Sequence, residues 1–73
     1  MMGPDMKIEE AIVYALATSG GGMKVERLVD TINRDGLHKR KDGQAVTIAQ
    51  VYAVVMSHPE TFVKSEGRIR LLM

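Results

Sequence analysis

Lys39, Arg40 and Lys41 follow one another directly, behind His38 and ahead of Asp42, Gly43 and a helix-start signal at Thr47. Side chains of this type in this place are suited to holding phosphate oxygens. The N-terminus of a following helix adds unpaired N–H groups that also favour anions. The same run fits a solvated turn, since polar segments around Asp-Gly are ordinary turn material. A second basic set, Lys64, Arg68 and Arg70, flanks Glu66 and Gly67. On a hairpin, such cations would meet a nucleic-acid backbone or enter a minor groove. They would equally protect exposed strands against edge-to-edge association.

Other chemistries find less support. His38 and His58 are far apart and have no cysteine or carboxylate arrangement around them, so a metal site is not expected and both read as surface residues. "SGGGMK" lacks the spacing and the Ser or Thr after Lys of a nucleotide-binding loop, and reads as a helix stop. No nucleophile or acid–base pair stands out, and a domain this small has little room for a cleft. The expectation is a protein that is not an enzyme and carries no cofactor.

The elements that must position the basic residues follow from periodicity. Ile8, Ala11, Ile12, Ala15 and Leu16 mark one face of a helix over about residues 7–18. Asp5 is its candidate cap and Gly20 to Gly22 are its stop. Val13 falls on the opposite side and Tyr14 at the edge of the stripe. Val25, Leu28, Val29 and Ile32 mark a second helix, closed by Gly36 as a left-handed C-terminal residue. Arg27 and Arg34 both have helical spacing to Asp30. Met23 and Lys24, between the two helices, suit a very short extended segment.

The third helix starts at Thr47, because Thr47 and Gln50 form a capping box, with Val46 and Val51 as a hydrophobic staple. Its expected buried stripe is Ile48, Val51, Tyr52 and Val55, and it stops near Ser57 ahead of Pro59. Met23 and Met56 read as core filler. The period then changes to about 2. With Glu66 and Gly67 as a two-residue turn, Ser65 pairs with Arg68 and Phe62 faces Leu71. Lys64 shares its strand face with Phe62 and Ile69, which makes it the least suited of the wing cations.

A chain of 73 residues supports one core and not two. Apolar residues make up 45% and charged residues 26%, a globular balance. Without cysteine, packing alone must hold the fold. The net charge of +1 hides a polarity. Residues 1–35 carry four Lys or Arg against six Asp or Glu, and residues 36–73 carry six against three, so one face can be basic. No apolar run is long enough to span a bilayer and no signal-peptide order appears. The expectation is a soluble cytoplasmic protein with a tail at residues 1–6 and one domain at residues 7–73.

Helix, stub strand, helix, helix and hairpin form the order of a winged helix-turn-helix: an α+β, mainly helical fold with three helices and a C-terminal β-hairpin wing. Over about residues 7–72 the chain also resembles the HARE-type helix-turn-helix family. The likeness rests on the turn and "GGM" after the first helix, Asp42 and Gly43, Gln50 and Val51, Pro59, Phe62 and the closing "EGRIRL". It implies a winged-helix domain that binds DNA or links a DNA-directed machine to chromatin or polymerase, as an adaptor in transcription or restriction systems.

The reading that follows is a domain that binds double-stranded DNA mainly by phosphate contacts. Its candidate residues are Lys39, Arg40, Lys41, Thr47, Gln50, Arg68 and Arg70. Base readout should be limited. The outward positions of the third helix are Ala49, Gln50, Ala53, Val54 and Ser57, of which only Gln50 has a side chain that reads bases, and it also serves the cap. The alternative is a protein-interaction or dimerisation module that uses Ala49, Ala53 and Val54.

Overall fold

The computed structural model describes residues 6–40 and 42–72. Along the chain run α1 (Ile8–Ser19), β1 (Met23–Lys24), α2 (Val25–Arg34), α3 (Ile48–Ser57), β2 (Phe62–Ser65) and β3 (Arg68–Leu71). The result is an α+β fold in which three helices precede most of a small antiparallel sheet. Of the expected tail, only Met6 lies within the described residues, and the proposed cap at Asp5 lies outside them.

The helical spacings decide which faces meet. Ala11, Ile12, Ala15 and Leu16 of α1, Val25, Leu28 and Ile32 of α2, and Val51 and Val55 of α3 are all buried in one apolar cluster. Met23, Val46, Phe62 and Ile69 close it from the strands and the α2–α3 loop. No polar or charged side chain among the described residues is buried. The side chains of the core are therefore apolar throughout.

Each helix end has its own local cause. The α1 start is held by Glu10, whose carboxylate accepts the Lys7 backbone N–H at 3.0 Å. At the end of α2, Leu37 N–H donates to Ile32 C=O at 3.0 Å and Gly36 N–H to Asn33 C=O at 3.3 Å. This is a Schellman closure. It needs the left-handed backbone that Gly36 supplies at φ 63°. The α3 start is the expected capping box: Gln50 N–H donates to Thr47 Oγ1 at 3.2 Å, and Thr47 N–H donates to Gln50 Oε1 at 3.1 Å.

The strand register is the expected one, with Phe62 opposite Leu71, Val63 opposite Arg70, Lys64 opposite Ile69 and Ser65 opposite Arg68. The short segment Met23–Lys24 pairs with β3, Met23 to Ile69 and Lys24 to Arg68, which makes a three-stranded sheet in the order β1-β3-β2. The turn between β2 and β3 carries positive φ at both central residues, 54° at Glu66 and 77° at Gly67. Gly67 adopts this without steric cost, whereas Glu66 does not. Asn-Gly is the favoured pair for such a turn, so Glu66→Asn should stabilise the domain by about 1 kcal/mol. Thermal melting should then shift up by about 4–8 °C. An unchanged or lower midpoint would show that the turn carries no such strain.

Several single-residue expectations change. Ile48, assigned to the buried stripe of α3, is 42% exposed, and Met56, read as core filler, is 68% exposed. Val54 and Val13, assigned to outward faces, are half-buried and pack on the core. The cause is the roll of each helix about its axis. That roll is set by what the neighbouring elements cover and not by the helix's own period. Arg34 pairs with Asp30 at 3.7 Å and with Asp35 at 3.6 Å, while no ion pair forms at Arg27 among the described residues.

Candidate functional site

The α2–α3 loop is held at both ends and in its middle. At its end, the Asn33 side chain forks onto the backbone of Val46: its Oδ1 accepts Val46 N–H at 2.9 Å and its Nδ2 donates to Val46 C=O at 3.0 Å. Asn33 was not singled out by sequence reasoning. Its partner lies thirteen residues away and is a backbone, which leaves no side-chain pattern to read. In the middle, Asp42 accepts Gln44 N–H at 3.0 Å through Oδ1 and the Arg40 guanidinium at 2.7 Å through Oδ2. Gly43 N–H donates to Arg40 C=O at 3.0 Å. Arg40 is therefore a positioned, half-buried cation whose charge Asp42 partly offsets, while Lys39 is exposed. Lys41 lies outside the described residues.

His38 ties this loop to the start of α1. Its Nδ1 stands 2.6 Å from the Met6 carbonyl oxygen, which can only accept, so Nδ1 carries the proton. Lys7 is thereby brought beside the loop, and Lys7, His38, Lys39, Arg40, Asp42 and Gln50 line one open depression of about 640 Å³. Gln50 sits at the α3 N-terminus with its carbonyl oxygen engaged in the cap. Thr47, with its hydroxyl oxygen engaged in the same box, lies at that N-terminus as well. Four of the expected residues, Lys39, Arg40, Thr47 and Gln50, are thus brought together.

The wing cations are not part of this group. Arg68 and Arg70 alternate with the buried Ile69 and project from the solvent face of the sheet. Arg70 crosses Gly22 so closely that a Cβ there would stand 2.6 Å from the Arg70 Cγ. It borders a hollow formed with Leu16, Ala17 and Gly20. Arg68 lines a different depression, beside Lys24 and Arg27. Lys64 faces the other way, with its Nζ 5.2 Å from the centre of the Tyr52 ring on α3. No residue that lines the depression at the α3 N-terminus also lines either hollow beside the wing arginines.

At the far end of α3, His58 lies 3.5 Å from Glu9 through Nε2 and 3.2 Å from Glu60 through Nδ1, so the two histidines link elements rather than stand free on the surface. A backbone hydrogen bond at Glu60, and then the His58 ring, hold the Glu60 carboxyl below the usual carboxylate range. Among the described residues no group of three or more potential donors converges as a metal ion would require. Among the described residues no helix is long and apolar enough to cross a membrane. No protein-family model, curated protein or solved structure matches the chain.

Proposed function

We propose that the chain is a winged helix-turn-helix that binds double-stranded DNA chiefly through phosphates gathered at the α3 N-terminus. The observation that carries this reading is the convergence of Lys7, Lys39 and Arg40 on one depression beside Gln50. Three cations and a helix N-terminus suit a phosphate backbone, and the helix–helix–hairpin order and the HARE-type resemblance point to the same class of ligand. Base readout is limited, because the carbonyl oxygen of Gln50 is occupied and its neighbours Ala49 and Ala53 have nothing to donate. Such a domain would serve as an adaptor within a transcription or restriction assembly.

A fluorescence titration of labelled duplex against salt tests this. Removing two phosphate contacts with Lys39→Ala and Arg40→Ala should lower the log–log salt slope by about 1.8, at roughly 0.9 per contact. A slope equal to that of the unaltered protein would sink the reading.

One observation favours a second reading, a protein-interaction module. Ile48 and Met56 are exposed on α3, and Ala49 and Ala53 lie between them beside the half-buried Tyr52. Val54 drops out of this face because it packs on the core. If the face joins two copies, sedimentation should show dimer at rising concentration and monomer for Met56→Asp. A monomer at every concentration would exclude self-association through α3.

A further inference from the structure

Lys24, Arg27, Arg34 and Arg68 line one depression of about 690 Å³ that opens between the C-terminal end of α1, the side of α2 and strands β1 and β3. Thr18 and Thr31 add hydroxyls to its wall, and no carboxylate lines it among the described residues. Lys24 and Arg68 are directly opposite one another on adjacent strands, where like charges repel. Arg34 is partly offset by Asp30 and Asp35 at the outer edge, whereas Lys24, Arg27 and Arg68 make no ion pair among the described residues. Three cations held together without a carboxylate leave a positive field that an anion would relieve.

The shape of the field selects among anions. Arg27, Thr31 and Arg34 stand on one side of α2 at spacings of four and three residues. From Arg27 to Arg34 the helix rises roughly 10 Å, and the strand pair Lys24 and Arg68 extends the row beyond its N-terminal end. A row of that length reaches well past a single tetrahedral anion, so it suits successive phosphates of a chain rather than one isolated anion. We propose that Lys24, Arg27, Arg34 and Arg68 form a second nucleic-acid contact, a row that holds a phosphodiester backbone along α2 and the outer face of the sheet. The row uses none of the residues at the α3 N-terminus and stands whether or not that site binds duplex. It gives Arg68 a role that the loop site does not.

The test is a salt titration of a short fluorescein-labelled duplex with the full chain. Replacing Lys24, Arg27 and Arg68 together by Ala should take about 2.7 off the log–log slope, at roughly 0.9 per phosphate lost. Lys24→Glu separates binding from folding: it faces Arg68 with the opposite charge and should raise the melting temperature, yet weaken duplex binding about tenfold at low salt. An unchanged slope in the triple variant overturns the row, whatever the loop does. A slope that falls in the triple variant but not in Lys39→Ala/Arg40→Ala supports the row and sinks the loop site instead. Competition by inorganic phosphate as strong as that by an oligonucleotide of equal charge would overturn the chain-like ligand. Row-dependent binding to phosphatidylglycerol vesicles, with no row-dependent binding to duplex, would overturn the assignment to nucleic acid.

Discussion

In a urea melt, Leu28→Ala should cost the domain about 3 kcal/mol, within the range of about 2–5 kcal/mol for truncating a buried leucine. Leu28 is 0% exposed, on α2, in a core where each helix packs against the other two. The loss has two parts: the apolar surface no longer removed from water and the cavity left where α1, α2 and α3 meet. With no cysteine in the chain, no disulfide can offset it. At roughly 0.05–0.15 kcal/mol per residue, a domain of this size has about 4–11 kcal/mol in total, so the variant gives up a large share of its stability. Met56→Ala is the matched control, since Met56 is 68% exposed, and its cost should stay within about 0.5 kcal/mol. Equal effects at the two positions would mean that the helices are not rolled so as to bury Leu28 and expose Met56.

The second large effect is expected at Asn33. Asn33→Ala removes both hydrogen bonds to Val46, whose backbone N–H and C=O belong to a residue only 3% exposed. Unpaired backbone groups in that position cost about 1–3 kcal/mol, and about 2 kcal/mol is expected here. Asn33→Asp should fall between, because a carboxylate still accepts from Val46 N–H but cannot donate to its C=O. The consequence reaches beyond stability. Val46 precedes the α3 cap, so freeing it loosens the loop that presents Lys39 and Arg40 beside Gln50. Hydrogen exchange at the Val46 amide reports this directly, and exchange as slow in Asn33→Ala as in the unaltered chain would show that the fork does not hold the loop.

Much of the fold was legible because its causes are local. The capping box at Thr47 and Gln50, the left-handed close at Gly36 and the two-residue turn at Glu66 and Gly67 each depend on a few neighbouring residues. Their chemistry can be read without knowing the rest of the chain. The hairpin register followed from the turn position alone, because alternation then assigns every side chain to a face. The strain at Glu66 was not legible, since Gly67 by itself supplies the positive φ that marks a turn, and the second positive φ belongs to the geometry of the closed hairpin.

The candidate site was legible only in its residue types. By itself the sequence determined where the helices and the hairpin lie, and that the basic residues cluster before α3 and around the turn. Tertiary structure alone decided which cations are neighbours. It drew Lys7 to the loop through the His38 contact with Met6 and turned Lys64 toward Tyr52. It also paired β1 with β3, which set Arg68 beside Lys24 rather than beside Lys39. The physical reason is the range of the interactions. Caps and periods act over three or four residues, whereas the roll of a helix and the partner of a two-residue strand are set by apolar burial among segments far apart in the chain.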